Sequence, residues 1–235
     1  GKIFNLDTAF MGYAAFQAGR SIINLGTTLN KLDNMFLAVT GSSTKAAEEM
    51  KFVRDTSEQL GLPILETSEG YAKFYAATNK QLRTDQIRDI FTSFSKASVV
   101  LGHTPADFKL VMLALEQMAS KGTVSMEELR RQLGERLPGA LQLAAQSMNI
   151  SEKEFNKLIK SGKVMAKDFL PNFAKTVEQK FAKGIVSASK SARAEINRMQ
   201  NALIGIGESF LKSGFLDAMK EFSKSIGNIA KNPAL

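Results

Sequence analysis

An all-α fold is predicted for this chain of 235 residues. Apolar residues recur at steps of three and four along most of the chain, which is the spacing of helices that bury one face. β-Branched residues form only short clusters within that pattern, so no segment has the alternation typical of a strand. All five prolines fall at positions typical of helix edges or tight connections. We therefore expect a compact multi-helix central domain, residues 42–182, between long helical arms at residues 1–41 and 183–235.

The first arm is predicted to be one long helix from about Leu6 to Thr40. Its heptad-like seam is typical of a coiled-coil face and comprises Ile22, Leu25, Leu29, Leu32, Phe36 and Val39. Three glycines, Gly12, Gly19 and Gly26, recur every seven residues, although glycine costs about 1 kcal/mol within a helix. This stripe indicates either a close approach by another helix or a loose, frayed arm, and both interpretations stay open.

The central domain begins with four predicted helices, the last of which has the clearest start signal. Thr104 is expected to cap this helix, with Pro105 at its first position and Asp107 at its third. Pro63 is interpreted as part of a tight exit from the helix before it. The four helices are expected at about Lys45–Leu60, Ser68–Asn79, Thr84–Leu101 and Pro105–Lys121.

Shorter helices are predicted in the second half of the domain. Two capping boxes, at Ser125 and Ser151, are expected to open two of them. The dipeptide Pro138-Gly139 should form a corner before a short helix at about Ala140–Met148, with Leu133, Leu137 and Leu141 all buried. The last helix of the domain is expected to run from about Ala166 to Phe181, with Phe169, Leu170, Phe173 and Val177 on its apolar face.

A weak internal repeat is present in this half. Lys121-Gly122-Thr123-Val124 and Ser161-Gly162-Lys163-Val164 each place a glycine after a predicted helix and an inward valine two residues later. A new helix is predicted shortly after each. We interpret the pair as a repeated helix–turn–helix corner.

The last arm, residues 183–235, has the pattern of a coiled coil with a hinge. Its first seam comprises Ile196, Met199, Leu203, Ile206 and Phe210. After Gly214 the phase slips by one residue, and the seam resumes at Phe215, Met219, Phe222, Ile226 and Ile229. A helix end is expected at Asn232-Pro233. The two arms either pair between chains or fold back on the same chain.

Composition and motifs argue against catalysis. There is no cysteine, so disulfides, thiolate chemistry and cysteine-based zinc sites are excluded. The single histidine, His103, cannot form a histidine-rich metal site and is expected to be a loop residue or a cap partner. The acidic pairs Glu48-Glu49 and Glu127-Glu128 point about 100° apart on a helix, so they do not converge on one substrate. No phosphate-binding or hydrolase motif occurs. We expect no enzymatic activity, no cofactor and no metal.

Two alternative functions come from charge and amphipathicity. The net charge is +8, and basic residues at Arg130, Arg131, Arg136, Lys190, Arg193 and Arg198 favour a helical nucleic-acid-binding module. The amphipathic segment after Gly184 favours surface binding to a membrane. Salt-dependent DNA retardation would favour the first alternative, and vesicle binding lost on removing that segment would favour the second.

Residues about 60–182 resemble the N-terminal conserved domain of bacteriophage tail tape measure proteins. The similarity lies in the run Leu113-Ala114-Leu115-Glu116-Gln117-Met118-Ala119-Ser120-Lys121-Gly122, followed by Glu127-Glu128-Leu129-Arg130-Arg131-Gln132-Leu133-Gly134-Glu135-Arg136-Leu137-Pro138-Gly139-Ala140. It continues through Phe155-Asn156-Lys157-Leu158, Gly162-Lys163-Val164 and Asp168-Phe169-Leu170-Pro171. Eight of these residues are taken as the structural signature: Gly122, Gln132, Leu133, Glu135, Pro138, Gly139, Gly162 and Pro171.

The resemblance implies a structural virion protein of a phage or prophage that scaffolds tail tube assembly and sets tail length. It implies a location in the tube lumen, and in the host cytoplasm during assembly. The partners implied are tail tube, tail-tip or baseplate proteins and assembly chaperones, with self-association through the arms and transient contact with the host membrane; nucleic acid is not expected. A wholly helical chain of this length would span only about 350 Å, so we expect a fragment of a longer protein.

Overall fold

Helices account for the fold of the described residues. The computed structural model describes the backbone of residues 6–215 and 221, and the side chains of residues 21–214 and 221. Within these residues there is no strand, and Thr123 and Met165 form one isolated antiparallel bridge. The predicted all-α class is confirmed. The helices are α1 (Leu6–Thr40), α2 (Ser43–Leu60), α3 (Ile64–Thr78), α4 (Thr84–Val100), α5 (Pro105–Lys121), α6 (Ala140–Ser147), α7 (Glu152–Lys160), α8 (Ala166–Phe181), α9 (Ile185–Ala188) and α10 (Ala192–Phe210), with π-helical turns at Glu127–Leu133 and Leu211–Phe215 and a 3-10 turn at Ala182–Gly184.

Several helix starts follow the capping residues in the sequence. Thr104 and Asp107 form the predicted capping box of α5, with Pro105 at the first helical position. The Ser151 hydroxyl accepts a hydrogen bond from the Glu154 N–H at the start of α7. Helix α3 begins at Ile64, four residues before the predicted Ser68. The reason is that Pro63 occupies the N-cap position, so it opens α3 instead of only closing the turn before it.

The predicted capping box at Ser125 is wrong. Met126 occupies the cap position of the π-helical turn and makes no side-chain cap bond. The Ser125 hydroxyl instead donates to the buried carboxylate of Glu128. Glu128 is therefore held by side chains and does not close a capping box.

The described chain divides into two compact units, and the larger comprises Leu32–Gln200. In this unit α3 packs on α5, and α4 packs on α8. Tyr71 lies at the centre of one aromatic group, with its ring centroid 4.8 Å from that of Phe91 and 5.4 Å from that of Phe52. A second group joins α7 to α8: the Phe155 and Phe169 rings stack at 5.8 Å between the two helices, and Phe169 stacks on Phe173 at 4.8 Å within α8. The burial of apolar surface on aromatic rings such as these is the main favourable contribution to folding.

The smaller unit comprises residues 1–31 and 201–235, as far as they are described. Here α1 lies against the end of α10, with Gly207 next to the Leu25 side chain and Gly26 next to Leu211. A Cβ at Gly26 would lie 3.3 Å from Leu211 Cδ1, so this glycine allows the close approach that one interpretation of the stripe expects. The surroundings of Gly12 and Gly19 lie outside the described residues, as do the second seam of the last arm and the helix end expected at Asn232-Pro233. The division into residues 1–41, 42–182 and 183–235 stays a prediction.

Candidate functional site: the signature corner and its polar depression

The two copies of the internal repeat pair with each other. Gly122 and Gly162 both adopt left-handed backbone, with φ values of 72° and 66°. The Val124 N–H donates to the Val164 carbonyl at 2.9 Å, and the Ala166 N–H donates to the Gly122 carbonyl at 2.9 Å. Val124 and Val164 are both buried, as the repeat predicts. We call this pairing, residues 121–124 with 161–166, the signature corner; it joins the end of α5 to the start of α8.

A polar depression of about 280 Å³ lies beside the corner. Its walls come from the last turn of α5 and from the π-helical turn. Every wall residue belongs to the two runs that resemble tape measure proteins. The six are Gln117, Ser120, Lys121, Glu127, Glu128 and Gln132.

Glu128 is the buried charge of this depression, with 1% of its surface exposed. Burial alone would raise the pKa of its carboxyl, but hydrogen bonds from Lys121 and Ser125 outweigh this and lower the pKa below its usual range. The neighbouring Glu127 is exposed, so the two acids diverge as predicted. Glu128 is therefore a buried carboxylate whose charged form is favoured by the hydrogen bonds from Lys121 and Ser125.

Gln132 supplies an unused acceptor. Its side-chain oxygen Oε1 is enclosed and accepts no hydrogen bond, while its backbone carbonyl accepts from Arg136 at 2.9 Å. One wall residue of the depression therefore carries an enclosed acceptor without a partner.

Two further signature residues, Leu133 and Gly139, shape the chain around the depression. Leu133 is fully buried, and its carbonyl accepts from the N–H groups of Arg136 and Leu137 at 3.0 and 2.7 Å. Gly139, at φ 77°, precedes the first residue of α6. The predicted burial of Leu137 is confirmed, but Leu141 is only half-buried, because α6 turns it toward the edge of the core.

The last three signature residues, like Leu133 and Gly139, lie outside both the corner and the depression. Glu135 and Pro138 are exposed, and Pro171 lies inside α8. The prediction that all prolines fall at helix edges is therefore wrong for Pro171, which occupies the second turn of its helix. The structural roles expected of the eight residues remain a prediction.

A family model described as "Tape measure protein" matches residues 20–212. The chain belongs to the tape measure protein family. The match confirms the predicted resemblance and extends it beyond residues 60–182, so that it includes parts of both arms.

A curated relative is the probable tape measure protein of Salmonella phage Felix O1 (isolate Felix O1-VT1). It is 30% identical over 188 residues, which is 79% of this chain and 25% of that tape measure protein. The chain thus spans about a quarter of the length of the relative it matches. No solved structure matches the chain significantly. Within the described part of this tape measure family member, no helix has the length and apolar character needed to cross a membrane, and no group of acidic or histidine side chains could hold a metal ion.

Gly134 is not among the eight signature residues, but the structure constrains it. A Cβ on Gly134, in the segment Gln132-Leu133-Gly134-Glu135, would overlap the carbonyl oxygen of Arg130. The wide π-helical turn brings this carbonyl close to the following residue, so glycine is the residue that fits. The sequence signal for this constraint was the glycine between Leu133 and Glu135.

A buried polar network was not predicted. Glu49 is 3% exposed and accepts two hydrogen bonds from Arg88, at 3.1 and 2.8 Å, and one from the Tyr71 hydroxyl. Burial and the adjacent Glu49 raise the pKa of Tyr71 far above its ordinary value, so the phenol keeps its proton and donates. Arg88 also lies 5.1 Å above the Phe52 ring. The sequence showed the pair Glu48-Glu49 but not which acid faces inward.

Three polar side chains of α10 bind the ends of other helices. Arg198 donates to the carbonyls of Glu58 and Gln59 at 2.8 and 3.1 Å, at the end of α2. Arg193 donates to the carbonyls of Gly102 and His103, just beyond α4, and Asn197 donates to that of Gly61. Cations at helix C-termini satisfy carbonyls that lack helical partners and oppose the negative end of the dipole. The arginines that favoured nucleic-acid binding are thus partly engaged within the protein.

Proposed function

We propose that this chain is part of a tape measure protein that scaffolds tail tube assembly and sets tail length, without catalysis. The observation that carries the proposal is the family match over residues 20–212, which includes the whole signature corner. A helical chain is suited to this role because each residue adds about 1.5 Å, so the length of the chain converts directly to distance.

The test is tail length in a phage that carries the parent gene. An in-frame deletion of residues 32–200 should abolish tail assembly or give tails of the wrong length by electron microscopy. Tails of normal length and number would contradict the proposal. Purified chain should also fail to cleave cell wall or nucleotides; clearing that disappears when one glutamate is changed to glutamine would refute the non-catalytic part.

We place the functional protein in the tube lumen of the virion tail, and in the host cytoplasm during assembly. Its partners would be the tail tube, the tail-tip or baseplate proteins and the assembly chaperones. A partner contact at the polar depression is supported by its wall, every residue of which lies in the two runs that resemble tape measure proteins. Gln132→Leu should weaken co-purification with one of these partners, and Glu135→Gln, on the exposed surface nearby, should not. Equal retention of every partner by both variants would contradict this contact.

Self-association through the last arm is supported by an exposed apolar stripe on α10. Ile196, Met199, Leu203, Ile206 and Phe210 are spaced by three and four residues, and between 45% and 67% of each is exposed. Opposed stripes of this spacing bury each other in coiled coils. Packing of α1 on Gly207 and Leu211 uses other positions of the arm than Leu203 and Ile206, which are 60% and 67% exposed.

A matched pair of variants tests this association. Ile206 and Val186 are each 67% exposed, but only Ile206 belongs to the stripe. In sedimentation equilibrium of the full chain, Ile206→Glu should shift the mass toward the monomer and Val186→Glu should not. A monomeric wild-type chain at high concentration would refute pairing between copies. Vesicle binding lost only in Ile206→Glu would instead assign the stripe to transient contact with the host membrane.

A further inference from the structure

The start of the last arm is held on the larger unit mainly by polar contacts. We call residues 185–200, which comprise α9 and the first part of α10, the clasp. All side chains of the clasp are described, and Ala194 is the only apolar one among them that is buried. By comparison, α8 buries Ala166, Phe169, Leu170, Phe173, Ala174 and Val177. Because apolar burial is the main favourable contribution to folding, the clasp has little of it to resist opening.

The two faces of α10 are reversed relative to those of an ordinary surface helix. Arg193, Asn197 and Arg198 bind carbonyl groups of the larger unit and so lie on its inner side. Ile196 and Met199 lie on the outer side and are 51% and 60% exposed. An amphipathic helix ordinarily buries its apolar stripe. The orientation of α10 in the clasp is therefore set by polar contacts and not by burial of its apolar face.

Arg198 ties both helices of the clasp to the end of α2. Besides its bonds to the carbonyls of Glu58 and Gln59, it donates to the carbonyl of Ser189 at 2.8 Å. Ser189 occupies the C-cap position of α9, so one side chain on α10 holds the end of α9 as well. Loss of this guanidinium would release both helices from α2 at once.

The clasp is loosely packed against the helices beneath it. A cavity of about 350 Å³ lies between them. Ala188 and Ala194 line it from the clasp, and Leu62, Val100 and Phe108 line it from the ends of the other helices. Protein interiors are ordinarily close-packed, so a space of this size marks a weak interface.

A hinge lies directly before the clasp. A 3-10 turn at Ala182–Gly184 and the four-residue α9 separate α8 from α10. Stretches of 3-10 helix between α-helices often mark hinges. The chain passes close to α4 here, since a Cβ at Gly184 would lie 2.6 Å from Val100 Cγ1.

We propose that the clasp opens as one unit, about the turn at residues 182–184, while the helices beneath it stay folded. Opening breaks the hydrogen bonds of Arg193, Asn197 and Arg198 to the ends of α2 and α4. Glu58 and Gln59 are exposed, so their carbonyls bind water once they are released. The last arm is thus docked reversibly on the central helices.

Hydrogen exchange of the ¹⁵N-labelled full chain tests this opening. The amide protons of residues 196–200 should exchange about 100-fold faster than those of α4 and α8, because the latter helices are held by buried apolar side chains and open at a greater cost. The chain is kept dilute, so the result does not depend on whether the arms pair. Equal exchange rates in the three helices would mean that the clasp opens only when the whole unit unfolds, and would overturn the proposal.

A matched pair of variants tests the role of the arginine. Arg198→Met removes the bonds to α2 and should speed exchange in residues 196–200 about 10-fold, without changing α4 or α8. Lys190→Met is the control: it removes the same charge from the clasp, but Lys190 is exposed and its side chain has no partner among the described residues. The proposal is also overturned if the two variants exchange alike, or if Arg198→Met speeds exchange in α4 and α8 to the same extent.

Discussion

Replacing Glu49 with alanine tests the buried network that joins α2, α3 and α4. The substitution removes a carboxylate that accepts from Arg88 and Tyr71. The Tyr71 hydroxyl would be left unpaired in a fully buried position, at a cost of about 1–3 kcal/mol. Removing one partner of a buried ion pair costs about 3–5 kcal/mol. The Arg88 side chain is 34% exposed, so water can hydrate it after the substitution and reduce this cost. We therefore expect a loss of about 3 kcal/mol, at the low end of that range.

Urea denaturation followed by circular dichroism measures this loss as a fall in midpoint at unchanged slope. Glu48→Ala is the control, because Glu48 is the exposed neighbour on the same helix and should change stability by less than about 0.5 kcal/mol. Tyr71→Phe in the Glu49→Ala background should cost less than Tyr71→Phe alone, since the unpaired hydroxyl is already without its acceptor. Equal midpoints for Glu49→Ala and Glu48→Ala would refute the network as a source of stability.

Three further predictions concern the core, the glycine contacts and acid. Leu133→Ala should cost about 2–5 kcal/mol and the half-buried Leu141→Ala clearly less, by urea denaturation; a Leu133 change below about 0.5 kcal/mol would place it at the surface. Gly61→Ala should lower the thermal midpoint more than Gly162→Ala. Both glycines have φ near +67°, but a Cβ at Gly61 would lie 2.6 Å from the Ala194 Cα, whereas Gly162 faces open space. Equal losses would mean that backbone strain alone, and not the contact with Ala194, sets the cost. Stability should fall in acid, because the folded pKa values of His103, Glu128 and Glu178 are all lowered. Burial lowers the pKa of His103, hydrogen bonds that outweigh burial lower that of Glu128, and the hydrogen bond from Lys96 lowers that of Glu178. The unfolded chain then binds more protons than the folded chain, so the stability from the histidine is lost as pH falls below about 6.5 and that from the glutamates as pH falls below about 4.3. Urea midpoints measured from pH 8 to 3 should show both losses, and His103→Gln should remove the first. Midpoints that do not change with pH would exclude this linkage.

Much of the secondary structure was determined by local sequence. The capping box of Thr104 and Asp107 predicts the start of α5, and Gly122 predicts the end of that helix. These signals act within one turn of the chain, so they can be read without knowing the neighbours. The bounds of α1 follow in the same way from its uninterrupted apolar period and from Gly41. The family runs also lie within the sequence itself, and they predicted the family that the comparison confirmed.

Other features were decided by tertiary contact, because they depend on what lies across from a residue. Periodicity indicates that Glu48 or Glu49 faces inward, but only packing against Arg88 and Tyr71 selects Glu49. The seam of the last arm has the spacing of a buried face, and yet Leu203 and Ile206 are exposed, since α1 lies on the side of the arm that carries Gly207. The repeat Gly122-Val124 and Gly162-Val164 was visible in the sequence, whereas the hydrogen bonds between its two copies join residues 40 and 44 positions apart. Helix capping and period are short-range properties, and pairing and burial are long-range ones that only the folded chain supplies.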